Sequence, residues 1–306
     1  MIYTCTLNPA IDYRIECDTF NLGTLNRSSF SKFTVGGKGI NVSMVLKELD
    51  TKSVAIGYTG GFTGTYIKEY LIDELNIENH FIDIPSPTRI NVKLLVDDEE
   101  TEINQSGPII GTEELKLLTD FIDTLNTDDI LVCGGSQGRS KQNSYLEIAK
   151  QCHHKNIDFI IDSSGQSMLD VLAYHPLLVK PNIYELEEYF DVTLNTEDKI
   201  ISYGKKLIDL GAKNVIVSRG EKGSLFINDN HIYRADLIIG DVKNTVGAGD
   251  SMVAGFVSAY TQRQNDKQAY QLAVASATAT AFSYSLAKRE DIDKYLNQVV
   301  VNEVKR

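Results

Sequence analysis

Short β-prone runs recur along this 306-residue chain, most of them followed by a loop and then by apolar residues at helical spacing. Residues 2–7 end at Asn8-Pro9, and residues 54–58, 130–133, 159–162, 177–180 and 214–218 repeat the pattern. Between them the spacing predicts helices over 66–75, 112–125, 143–153, 167–172, 185–190 and 199–210, with Gly60, Gly61 and Gly64 forming a loop before the first. Strand and helix in alternation predict an α/β domain with a mainly parallel central sheet, since a parallel strand needs a crossover to return. The length suffices for one large domain with an attachment.

Two pairs of β-prone segments interrupt the alternation. Residues 13–17 and 28–35 flank a turn-rich stretch containing Gly23 and Arg27. Residues 89–96 and 101–104 flank the acidic turn Asp97-Asp98-Glu99-Glu100. Together they predict a small separate sheet inserted in the larger domain, a discontinuous segment of about 12–35 and 88–105 within a single domain of 1–306. A hairpin is expected over 223–233.

Gly247-Ala248-Gly249-Asp250 opens an almost wholly apolar segment, 251–260, that reads as a buried helix. Small residues let the backbone approach a ligand, and the first N–H groups of a helix have no internal partner and can receive an anion. Asp250 would face whatever attacks that anion, and the helix N-terminus should keep it ionised and a weak base. The same residues also fit an ordinary Gly-rich turn with a capping Asp. Two familiar phosphate loops fail: Lys38 is followed by Gly39 and Lys32 stands where a P-loop needs its first glycine, while Met252 stands at the third glycine of a dinucleotide fingerprint.

A formal net charge of −12 argues against a nucleic-acid partner, whose phosphates it would repel. No apolar run approaches a membrane span, so no membrane partner is expected. Cys5, Cys17, Cys133 and Cys152 are scattered without metal-ligand spacing and read as buried thiols of a cytoplasmic protein. Cys133 lacks an activating His or Lys and reads as core.

Gly36-Gly37-Lys38-Gly39-Ile40-Asn41-Val42, Lys180-Pro181-Asn182-x-x-Glu185, Ser218-Arg219-Gly220-Glu221-Lys222-Gly223 and Asn244-Thr245-Val246-Gly247-Ala248-Gly249-Asp250 occur in this order. In that arrangement the whole chain resembles the ribokinase-like (PfkB-type) carbohydrate kinases. Thr4 to Asp12, Thr88-Arg89-Ile90-Asn91-Val92-Lys93 and Thr101-Glu102-Ile103-Asn104 are most similar to the 1-phosphofructokinase branch, with tagatose-6-phosphate kinases as near relatives. The resemblance implies a three-layer α/β/α domain whose small inserted β-sheet acts as a lid. It implies ATP and Mg²⁺ as cofactors, a homodimer through that lid, and phosphorylation of a ketohexose phosphate, fructose 1-phosphate to fructose 1,6-bisphosphate first. Tagatose 6-phosphate is the alternative substrate, and a sugar-phosphate sensor without turnover the alternative of another class. Asp250 is then the base beside Gly247, Ala248 and Gly249. Asp12, Gly37 and Asn41 hold sugar hydroxyls, and Arg27, Lys38 and Arg89 the existing phosphate. Lys180, Ser218, Gly220, Gly223 and Gly249 attend ATP; Asn182 and Glu185 act on the metal through water. Arg27 and Arg89 also fit solvated strand-surface charges, and residues 180–182 a strand-ending turn.

Two stretches depart from the family pattern. Asn244 replaces an aspartate common elsewhere in the family. Gln137-Gly138-Arg139-Ser140 replaces a proline-containing turn, so this loop is expected to be mobile, with Arg139 either reaching the phosphate or pointing to solvent. On the small sheet, Ile11, Ile15, Phe33, Val92 and Leu94 are the apolar candidates for a dimer contact.

Overall fold

The computed structural model describes residues 1–97, 99–140 and 142–305, so Asp98 of the acidic turn lies outside the described residues. In chain order the strands are β1 (Ile2–Thr6), β2 (Ala10–Cys17), β3 (Phe30–Gly36), β4 (Ser53–Thr59), β5 (Glu78–Asp83), β6 (Arg89–Val96), β7 (Glu99–Ile103) and β8 (Ile109–Ile110). Then follow β9 (Ile130–Gly134), β10 (Arg139–Ser140), β11 (Asp158–Asp162), β12 (Leu178–Val179), β13 (Val215–Ser218), β14 (Ser224–Ile227), β15 (Ile232–Ala235) and β16 (Val301–Glu303).

Among the described residues, ten strands make one sheet in the order β16-β15-β14-β13-β12-β11-β9-β1-β4-β5. From β13 through β5 the pairs are parallel; β14, β15 and β16 add an antiparallel edge. Helices Thr112–Asp123, Ser144–Lys155, Ile183–Phe190 and Glu197–Asp209 cover one face of this sheet. Helices Lys38–Glu48, Ala248–Thr261 and Asp266–Ala281 cover the other. Alternate residues of one strand therefore enter different cores: Ile130 and Val132 join one, Leu131 and Cys133 the other. That is why the central strands read as unbroken apolar runs. Each such side chain removed from water contributes roughly 1.5–3 kcal/mol.

Strands β3-β2-β6-β7 form a separate four-stranded sheet. Its register aligns Asp12 with Thr34 and Asn91, and Arg14 with Lys32 and Lys93, which in turn faces Glu102. Side chains alternate across a strand, so these polar residues share one face. Ile11, Val35 and Ile90 share the other, where Ile11 and Val35 join a core with Ile40, Ile67 and Leu71. Ile11 is only 4% exposed and is taken up by this core, not available to a second copy.

Several elements differ from expectation. The first predicted helix begins at Gly61, not Tyr66, and ends in a π-helical turn, Tyr70–Glu74. Gly64 lies inside it because a Cβ there would stand 2.9 Å from the Thr59 Cβ, so glycine lets the helix rest on β4. Strand β5 was not predicted: its sequence, Glu-Asn-His-Phe-Ile-Asp, is polar, as suits the edge of the sheet, and within it only Phe81 is buried. Helix Asp266–Ala281 was missed because small residues, Ala273, Ala275, Ser276 and Ala279, fill its buried positions. They match Gly255 opposite, where a Cβ would come 2.6 Å from the Leu272 carbonyl oxygen.

Candidate active site

Chain order reverses between β1 and β9: β4 and β5 were added on one side, β11, β12 and β13 on the other. In open α/β sheets the crevice at the carboxyl ends of strands at such a switch is where ligands bind. A cleft of about 430 Å³ opens there, between the large sheet and the polar face of the small one, lined among others by Thr6, Asp12, Lys38, Asn91, Gly134 and Asp250. A larger hollow, about 600 Å³, lies around Met1, Ser53 and Glu78 at the opposite ends of β1, β4 and β5 and gathers none of the motif residues.

The glycines at 36–39 are there for close packing. A Cβ on Gly36 would lie 2.5 Å from Asp12 Oδ2; on Gly37 and Gly39 it would strike the Thr6 side chain at 2.6 Å. Gly37 also has φ 138°, which other residues avoid. Thr6 Oγ1 in return accepts from the Ile40 N–H at 3.1 Å, fixing the start of helix Lys38–Glu48. The strand end, the loop and the helix thus form one rigid corner.

That corner delivers Lys38 to a buried charge cluster. Its Nζ donates to Asp162 Oδ2 at 3.1 Å, and Lys180 Nζ lies 3.6 Å from Asp162 Oδ1. Burial alone would lower the Lys38 ammonium, but Asp162 and Asp250 outweigh it and hold its pKa above the usual lysine value. Burial likewise works to raise Asp162, yet Lys180 and Lys38 together hold its pKa below the usual carboxylate value. Lys180 also lies against the helix start: a Cβ on Gly249 would sit 2.9 Å from the Lys180 Nζ.

Asp250 lies in the first turn of helix Ala248–Thr261, whose cap, Gly247, takes φ 81°. Its Oδ2 accepts from Asn41 Nδ2 at 2.8 Å. The helix does not dictate its state. Burial first, and the nearby Asp162 second, push its pKa up to about 6 against the opposing pull of Lys38, Asn41 and Lys180. The expectation of a weak base fixed by the helix end is corrected: burial is the largest influence and the net shift is upward.

On the small sheet, Asn91 Nδ2 donates to Asp12 Oδ1 at 2.8 Å, presenting the carboxylate to the cleft. Arg89 lines the cleft too, but its guanidinium is engaged with backbone. Nε and Nη2 donate to the Asn8 carbonyl at 3.3 and 3.1 Å, and Nη1 to the Gln105 carbonyl at 2.9 Å. Further along the same face Lys93 pairs with Glu102 at 2.5 Å, and Asn104 donates to the other oxygen of that carboxylate.

Other predicted residues fall elsewhere. Arg27 is exposed in the connection between β2 and β3, outside the cleft lining, with no hydrogen bond or ion pair among the described residues. Arg139 is exposed on β10, paired in parallel with β8, and is likewise outside the lining. In its loop, Gln137 Oε1 accepts from the Tyr145 N–H and Ser136 Oγ from the Gly138 N–H. Ser218 ends β13 beside Asn182. Gly223 turns the chain into β14, where a Cβ would meet the Ala235 carbonyl oxygen at 2.1 Å, whereas the space about Gly220 is open. Asn182 and Glu185 cap their helix reciprocally, each side chain accepting from the other's N–H at 2.9 Å.

Among the described residues no three His, Cys, Asp or Glu side chains are grouped to enclose a metal ion. Asn182 and Glu185, the motif residues that would attend a divalent cation, each commit a side-chain oxygen to their helix cap, so a cation there would keep water among its ligands.

Asp162, Asn91 and Glu102 are not among the site residues expected from the sequence. Asp162 carried a signal, a lone carboxylate at the carboxyl end of an apolar strand. Asn91 and Lys93 share strand phase with Arg89, which puts all three on one face.

The family model of the pfkB family carbohydrate kinases matches residues 6–291. The chain is 42% identical over 305 residues to a 1-phosphofructokinase from Bacillus subtilis, covering 99% of this chain and 100% of the relative. It is 34% identical to a D-tagatose-1-phosphate kinase from Bacillus licheniformis, with 99% and 100% covered. The tetrameric inhibited form of phosphofructokinase-2 from Escherichia coli superposes with a TM-score of 0.90 at 26% identity, over 97% of this chain and 98% of that one.

Proposed function

This chain belongs to the pfkB family of carbohydrate kinases and is a sugar-phosphate kinase; on that premise we propose that it transfers the terminal phosphoryl group of ATP to the 6-hydroxyl of fructose 1-phosphate. The observation that carries this reading is that Asp250 and Asp12 line one cleft, Asp250 buried at a helix start and Asp12 held by Asn91 on the small sheet.

Phosphoryl transfer is mostly positioning and charge neutralisation. Asp12 and Asn91 orient the sugar hydroxyls. Asp250, directed by Asn41, takes the proton of the attacking hydroxyl; with its pKa near 6 it is ionised at neutral pH and is a stronger base than an ordinary carboxylate. The N–H groups of Gly247 and Gly249 receive the transferred group, that of Ala248 being held by the Thr245 carbonyl, and Lys38 and Lys180 balance its charge. Asn182 and Glu185 would hold Mg²⁺ through water, and the ion would supply charge neutralisation to the triphosphate. Ser218 and Gly220 border the nucleotide.

The small sheet acts as the lid, and the part of its apolar face left outside the core pairs two copies: Phe33 and Ile103 lie there and are 49% and 60% exposed. The phosphofructokinase-2 of Escherichia coli has a tetrameric inhibited form. No helix among the described residues is long and apolar enough to cross a membrane, and action in the cytoplasm is consistent with the four unpaired buried cysteines.

A coupled assay of ADP release with fructose 1-phosphate, fructose 6-phosphate and tagatose 6-phosphate side by side tests the reading. Fructose 1-phosphate should give the highest kcat/KM. Preference for another sugar moves the substrate, and binding without ADP release makes the protein a sensor.

A further inference from the structure

The cleft contains three cations among the described residues: Lys38, Arg89 and Lys93. They differ in what each would lose by turning to a ligand. Lys38 neutralises Asp162, which is buried, so moving it strips a counter-ion from a desolvated carboxylate. Arg89 holds the Asn8 and Gln105 carbonyls, and releasing them would free two loops that line the cleft. Among the described residues Lys93 is bound only to Glu102; its own side chain is 21% exposed, but Glu102 lies on β7, an edge strand whose every position is exposed. An ion pair of that kind contributes little to stability, so its exchange costs little.

From this we infer that Lys93 is the specificity-determining cation for the phosphate already on the sugar, and that Glu102 is an internal anion which the incoming phosphate displaces. The inference rests on the sugar-phosphate kinase reading above. Register supports it: Lys93 lies on the same strand face as Asn91, two residues further from the Asp12 row, and Arg14 and Lys32 continue its row across β2 and β3. A substrate with hydroxyls at Asp12 and Asn91 thus meets a row of cations one step outward. Both Glu102 oxygens are occupied, one by Lys93 and one by Asn104. A dianion replacing the carboxylate would inherit both donors. A sugar without a phosphate has nothing to displace Glu102 with, and meets an already neutralised cation.

The two partners of the pair then have opposite effects, which a merely structural ion pair would not produce. Lys93→Met should raise KM for fructose 1-phosphate about 10- to 100-fold, leaving KM for ATP and kcat/KM for unphosphorylated fructose within about twofold. Glu102→Gln should lower KM for fructose 1-phosphate, by about 2- to 10-fold. Calorimetric Kd values for fructose 1-phosphate and for inorganic phosphate, measured on the full chain without ATP, should move in the same directions. A KM and Kd unmoved by Lys93→Met, or weakened equally by Glu102→Gln, overturn the inference while leaving the reaction intact. A wild-type chain that binds fructose 1-phosphate with this pattern but releases no ADP overturns the reaction and leaves the exchange standing. A chain that binds neither ligand overturns both.

Discussion

The Lys38 ammonium stands 3.1 Å from the carboxylate of Asp162, a residue 124 positions away on β11. This contact ties the corner after β3 to the carboxyl ends of the central strands. It also places a cation and an anion beside Asp250, which respond to each other's charge.

Asp250→Asn should keep the fold and most ligand binding but lower kcat by about 10² to 10⁴. Steady-state kinetics on the purified variant checks this. Turnover within threefold of wild type would show that Asp250 is not the base.

The pH profile should follow the raised pKa of Asp250. As the base, it works ionised, so kcat/KM should fall as pH drops through about 6 rather than near the ordinary carboxylate value. Asp162→Asn removes the charge that helps raise it, so the acid limb should move to lower pH. An unmoved limb would mean that Asp162 does not tune the base.

The same shift has a stability consequence. A carboxyl group whose folded pKa is raised contributes stability that is present below about pH 4 and is lost as pH rises through about 6. At pH 8, Asp250→Asn should therefore stabilise the ligand-free protein, by up to about 3 kcal/mol, and should give no such gain at pH 4. Thermal unfolding at the two pH values measures this; a loss of Tm at pH 8 would contradict it.

Arg89 separates charge from fork geometry. Arg89→Lys keeps the cation but cannot hold the Asn8 and Gln105 carbonyls together, so it should cost about 1–3 kcal/mol in stability. Denaturant unfolding reads the loss, and an unchanged midpoint would mean that those hydrogen bonds contribute nothing.

Assembly is read by sedimentation at micromolar protein. A dimer is expected, and Ile103→Lys, on the apolar face of the small sheet, should shift it to monomer. A wild-type monomer would remove the small sheet from any interface.

What the sequence determined by itself was local or periodic. The β/α alternation predicted the large sheet, because apolar spacing reports which faces are buried. The run from Gly247 to Asp250 predicted a helix start with a carboxylate, because glycine and an early helical Asp carry their own backbone logic. The tertiary structure alone decided which charges meet. Asp162 is unremarkable on its own strand, and becomes the partner of Lys38 and Lys180 only when β11, β12 and the loop after β3 converge. Arg89 and Lys93 look alike in sequence, yet one is spent on backbone carbonyls and the other on an exposed carboxylate. The state of Asp250 was misjudged for the same reason: burial and a second carboxylate, which outweigh a helix end, are properties of packing across the chain. Coulomb energy and desolvation depend on distance in space, which spacing along the sequence does not encode.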